Sequence, residues 1–291
     1  MLSVSATVVM TFGLLIPRRR PDQGENGHHS SQFADRAQLA GIQRKLGFPL
    51  AEANMSSTPS RPSTAGFSSL DEMLARSQWY PRMPPDVRQR VRAEMTEARV
   101  AAGEALSRQG EFPNQWFGVI SGLLKWSKTT FEGQSITFGG LSPGSWFGEG
   151  TLLRGAPRGA DVIGLQESVV AIVPRHTFEW LYASSLDFNH FLLQQINERM
   201  HWFMESWAAD RVLDADGQVL RALAGMFHPW LYPHGNPHVE ISQEEVAALA
   251  GVSRPRCNRA LKQLESAGLL KLEYGGLTVV DLDKLREAAL R

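Results

Sequence analysis

The 291-residue sequence predicts an α+β fold in three parts: an N-terminal β-roll, a long dimerisation helix and a C-terminal winged helix-turn-helix. Three observations carry that expectation. Thirteen of the 26 glycines fall between residues 103 and 164, separated by short apolar runs. Many short strands with frequent turn signals read as a sandwich or barrel, here a small roll. Beyond Thr177, Leu192, Ile196, Met200, Phe203 and Trp207 recur at helical spacing, within the Pro-free and Gly-free segment Leu186–Asp216. The third observation is Ile241–Leu272, which holds two capped helices joined by a short turn.

Composition narrows the class. Hydrophobic residues make up 43% and charged residues 21%, as in a globular protein with a real core. Lys+Arg and Asp+Glu number 30 each, which excludes a uniformly basic or acidic chain but not a local basic patch. Cys257 is the one cysteine, so an internal disulfide, a four-thiolate iron–sulfur cluster and an all-Cys zinc site are excluded. The reducing cytoplasm is the default compartment.

In chain order, residues 1–16 are apolar but rich in Ser and Thr, and too short to span a bilayer. Arg18, Arg19 and Arg20 follow that run, whereas a secretory signal puts its positive charge first. No membrane partner is expected. Met55 opens a more natural start, and 54–69 is mostly Ser, Thr, Pro and Gly, so 1–69 reads as a disordered extension. Leu70 to Ala102 has helical spacing, interrupted at Pro81–Pro85. Strands are expected at Phe117–Ile120, Leu123–Trp126, Ser135–Leu141, Val162–Leu165 and Val169–Val173. The roll therefore occupies 70–186, the dimerisation helix 187–212 and the DNA-binding unit 213–291. A helix over this long segment spans ~40 Å at 1.5 Å per residue. Its apolar stripe either packs on the roll or forms a seam with a second subunit, and two faces to cover favour the seam.

Ser242 and Glu245 form a capping box ahead of a helix whose expected core face is Val246, Leu249 and Ala250. Gly251 ends it. Ser253 is placed to cap a second helix, with Pro255 in its first turn and Cys257, Leu261 and Leu264 facing inward. The outer face carries Arg254, Arg256, Arg259 and Lys262. With Ser253 and Asn258 these are the candidate contacts to double-stranded DNA, where basic side chains reach phosphates and base edges. Leu269–Glu273, the turn Tyr274–Gly276 and Leu277–Val280 read as the wing.

A roll, a long helix and a winged helix-turn-helix in this order resemble the Crp/Fnr family of bacterial transcription regulators. GVSRPRCNRALKQLE resembles the family's recognition helix, with Arg254 and Arg259 at its arginine positions. Pro255 stands where the family carries an acid, which implies a different operator. GSWFGEGTLLRGAPRGADV resembles the family's phosphate-binding cassette. The roll is then cyclic-nucleotide-binding-like, and the resemblance implies cyclic AMP as an effector. Glu149 would hold the ribose hydroxyl and Arg158 the cyclic phosphate, with Gly148 allowing close approach and Arg199 on the long helix bracing Glu149. Gly159 and Ala160 complete the cassette, Gly159 replacing the family's serine. Phe203 and Met204 stand where the family places the hydroxyls that read the adenine amine. The resemblance also implies a homodimer on a palindromic operator, and RNA polymerase as a partner if the protein activates.

Alternatives stay open at this point. Glu149 and Arg158 could simply pair across the roll's mouth. The roll could only dimerise, leaving a constitutive DNA-binding regulator, or it could serve a haem or gas sensor using His176, His190 and His201. His228, His234 and His238 read as a Pro-rich linker turn rather than a zinc site. Enzyme motifs of the GxSxG, HExxH and GxxxxGK[ST] types are absent from the sequence, so no catalytic residues are assigned.

Overall fold

A computed structural model describes residues 66–133, 135–233 and 236–289. Residues 1–65, and with them most of the expected extension, lie outside the described residues, as does His234. Phe67, three residues ahead of the expected Leu70, is buried with an aromatic side chain in the core, and its N–H donates to the Ile120 carbonyl at 2.9 Å.

Two helices, α1 (Leu70–Arg76) and α2 (Pro85–Glu94), precede the roll, with a 3-10 turn at Tyr80–Arg82 between them. The roll's strands are β1 (Thr96–Val100), β2 (Ala105–Ser107), β3 (Gln115–Ser121), β4 (Leu124–Thr129), β5 (Ser135–Leu141), β6 (Trp146–Phe147), β7 (Asp161–Gly164) and β8 (Ser168–Pro174). They form two antiparallel sheets, β1-β8-β3-β6 and β2-β7-β4-β5. The segment up to Ala102 is thus only partly helical. Met95 ends α2 and β1 pairs with β8 from Thr96↔Ile172 to Val100↔Ser168. Its alternating sequence TEARV has period two, a signal the preceding helical spacing masked. A short helix, α3 (Glu149–Arg154), also emerges where the sequence shows only cassette.

After α4 (Arg175–Ser184) comes the long helix α5, Leu186–Val212, 27 residues and ~40 Å by its rise. Ser185 caps it by accepting from the Phe188 N–H. Its first turns are held in an aromatic core in which Trp116 and Trp146 stack at 4.4 Å and Phe188 meets Trp79 and Trp116 edge-on. Beyond Gln195 no α5 residue is fully buried, and Ile196, Met200, Phe203, Met204 and Trp207 are exposed.

The C-terminal unit comprises α6 (Ala215–Gly225), β9 (His238–Val239), α7 (Gln243–Ala250), α8 (Arg254–Ser266), β10 (Leu270–Glu273), β11 (Gly276–Val279) and α9 (Leu282–Ala289). The wing is a three-stranded sheet, β10-β11-β9. His238 is therefore a strand residue, pairing Thr278, rather than part of a linker turn. The unit's apolar core reaches Leu123 of the roll, and Lys125 on β4 bridges to Glu245 on α7 at 2.8 Å.

Candidate effector and DNA-binding sites

At the cassette, Gly148 precedes α3 with φ 101°, a left-handed conformation that a side chain disfavours. A Cβ there would also lie 3.4 Å from Arg158 Nη1. Glu149 follows, 1% exposed. Its Oε2 accepts from Trp116 Nε1 at 3.3 Å and its Oε1 from Arg199 Nη1 at 2.5 Å. Arg199 also donates to the Trp146 carbonyl, which Gln195 reaches at 3.0 Å. The cassette's carboxylate is thereby tied to the long helix, as expected for Arg199.

Arg158 is 8% exposed and lies over the Phe117 ring at 5.1 Å. Nη2 donates to the Gln115 carbonyl at 3.1 Å. Among the described residues no carboxylate forms an ion pair with it, so the alternative in which Glu149 and Arg158 pair across the mouth does not hold. Burial pulls its guanidinium below the usual arginine range, with Glu111 only partly opposing that pull. A desolvated cation without a counter-ion is costly, and an anionic ligand group would relieve that cost. Gly159 is exposed and Ala160 buried. Phe203 is 42% exposed and meets Trp126 and Phe138 edge-on, at 6.3 and 6.4 Å, while Met204 faces solvent.

In the DNA-binding unit, Ser242 accepts from the Glu245 N–H at 3.1 Å, while the Glu245 carboxylate takes the Lys125 bridge. The expected capping box is thus seen from its serine side. Val246 and Ala250 are buried as the spacing predicts, but Ala247 takes the third core place and Leu249 is only half-buried. Gly251 closes α7 at φ 65°. Ser253 occupies the N-cap of α8 without a side-chain capping bond, which corrects the expected cap. Cys257, Leu261 and Leu264 are buried, and burial pushes the thiol up to about 11. Arg254, Arg256, Arg259 and Lys262 are all exposed. Asn258 differs: it is half-buried, with Oδ1 inside and unpartnered, so it points less freely outward than its neighbours.

The described histidines are not gathered. His176 faces Glu94 at 3.3 Å, and His190 and His201 lie exposed along α5. His228 Nδ1 accepts from the Trp230 and Leu231 N–H groups. Among the described residues no group of three or more His, Cys, Asp or Glu side chains is placed to hold a metal ion.

A roll with a buried glycine–glutamate–arginine cassette, joined by a long helix to a winged helix-turn-helix, is the architecture of a ligand-responsive transcription regulator. The family model for the cyclic nucleotide-binding domain matches residues 97–185 and that for the Crp-like helix-turn-helix domain matches residues 218–288, together more than half the chain. The chain belongs to the Crp/Fnr family of transcription regulators and is not an enzyme. It is 22% identical over 224 residues to the CRP-like cAMP-activated global transcriptional regulator of Mycobacterium tuberculosis, covering 76% of this chain and all of that one. It is 28% identical over 193 residues to the cyclic AMP receptor protein of Thermus thermophilus, covering 64% of this chain and 85% of that one. The structure of FixK2 from Bradyrhizobium japonicum shares the fold at a TM-score of 0.57 and 16% identity, covering 67% of this chain and 96% of that one. The c-di-GMP responsive global regulator CLP of Xanthomonas campestris does so at 0.52 and 21% identity, covering 68% of this chain and all of that one.

Proposed function

We propose that the protein is a cytoplasmic homodimer that reads a palindromic operator through α8, gated by a small anionic effector, a cyclic nucleotide, at the cassette. One observation carries the ligand reading: Arg158 is buried without a carboxylate partner, beside a glutamate bonded to the long helix. An anion there gains a fork of donors and neutralises a desolvated charge. Glu149 and Arg199 would transmit its presence to α5, and the effector acts by binding one orientation of the DNA-binding units more tightly.

The dimer reading is supported by Ile196, Met200, Phe203 and Trp207, which recur every three or four residues and are exposed on α5. DNA contact is supported by the outward guanidiniums of α8. Two such helices related by a two-fold would span half-sites one turn apart, ~34 Å. For activation RNA polymerase would be the further partner. Among the described residues no helix is long and apolar enough to cross a membrane.

A second reading is favoured by the aromatic contact of Phe203 with Trp126 and Phe138. In it, bulky rings narrow the space for a base and the protein binds DNA without a nucleotide. Calorimetric titration of cyclic AMP, then cyclic GMP, separates the two. Micromolar binding that Arg158→Ala abolishes supports gating. No heat from either nucleotide with intact DNA binding supports the constitutive reading.

A further inference from the structure

On α8, Cys257, Ala260, Leu261 and Leu264 are buried. At 3.6 residues per turn, the side chains opposite them are Pro255, Arg259, Lys262 and Ser266, all exposed and within about 60° of arc. Pro255 lies in the first turn, between the exposed Arg254 and Arg256. Recognition helices put their N-terminal residues against base edges. The outward centre of this basic helix, at that end, is therefore a saturated ring with no donor, no acceptor and no N–H behind it.

Proline suits a first turn because that position needs no N–H. That accounts for the backbone but leaves the ring in water on the face turned to DNA. In the major groove thymine presents a methyl group, whereas the other distinguishing groups are hydrogen-bond donors and acceptors. A proline ring set against cytosine N4 or adenine N6 would desolvate a donor without bonding it. Set against a methyl, both apolar surfaces leave water. We propose that Pro255 is a specificity residue that selects a thymine in each operator half-site through its methyl group. This rests on the proposed reading of DNA by α8, and adds the base that one position of it prefers.

The test uses the full chain and a duplex that it selects from random sequence. Each thymine of the half-sites is replaced in turn by deoxyuridine, which keeps the pairing and removes the methyl. One thymine per half-site should prove sensitive. Losing its methyl in one half-site weakens wild-type binding about fourfold, and in both about fifteenfold, as burial of one carbon group implies. Pro255→Ser and Pro255→Gly, each with cooperative unfolding retained, should bind the thymine and deoxyuridine duplexes equally. A C·G pair at that position should weaken wild-type binding, and 5-methylcytosine should recover about fourfold, a recovery absent from both variants. No methyl-sensitive thymine in the wild type, or the same sensitivity in both variants, overturns the proposal. Operator binding retained in Arg254→Ala with Arg259→Ala would instead overturn the reading of DNA by α8, and this proposal with it. Loss in that double variant, with methyl sensitivity unchanged in both Pro255 variants, overturns the Pro255 assignment alone.

Discussion

Arg158 shows how one buried charge can define a ligand. Burying it without a carboxylate disfavours the folded state, a cost that the proposed anionic effector would relieve. Replacing it with methionine should preserve the apo fold, since a similar volume is kept and a desolvated charge removed. The rise in unfolding temperature on adding cyclic nucleotide should disappear, as thermal scans with and without ligand would show. Gly148→Ala should cost about 1–2 kcal/mol by denaturant titration, from the left-handed backbone alone. Cys257, fully buried and with its thiol pushed up to about 11, should stay unlabelled by a thiol reagent until the chain unfolds. Rapid labelling of native protein would contradict the packing of α8. Glu149, Arg158 and Arg199 were legible in the sequence only through its resemblance to the Crp/Fnr cassette and long helix. The Gln115 carbonyl that accepts from Arg158 and the Trp116 indole N–H that donates to Glu149 both come from β3 and have no local signature.

Helix α8 is the element proposed to read DNA, and its basic face follows from its sequence. Arg254→Ala and Arg259→Ala should each lose ~1–3 kcal/mol of specific binding, measured by titrating a selected duplex. Asn258→Ala should matter less, because its carbonyl oxygen is turned inside. At the link between α6 and β9, burial holds the His228 imidazole below its usual range, with Glu198 opposing and Arg286 and His201 reinforcing that shift. A base depressed in the folded state binds fewer protons there than when unfolded, so stability falls as pH drops below about 6.5. His228→Asn keeps an acceptor for the two N–H groups and should flatten that slope between pH 7 and 5, read by urea unfolding. Strands with glycine turns were legible because corners need particular residues. β1 was hidden because its five residues follow a helix directly, and β9 because two residues carry no period.

At the scale of the molecule, roll, long helix and winged unit appear in the order the sequence predicts, since each has its own hydrophobic period. The junctions were not legible: Leu123 entering the C-terminal core and Lys125 meeting Glu245 are contacts between distant segments. The exposed stripe on α5 predicts that Met200→Glu with Trp207→Glu yields monomers in sedimentation and weakens operator binding at least tenfold. The proposed function requires that two α8 helices of a dimer read one DNA site. The direct measurement is a footprint on a duplex selected from random sequence. Two protected half-sites one helical turn apart are expected, both lost in Arg254→Ala with Arg259→Ala. A single protected half-site, or protection unchanged in that double variant, would contradict it.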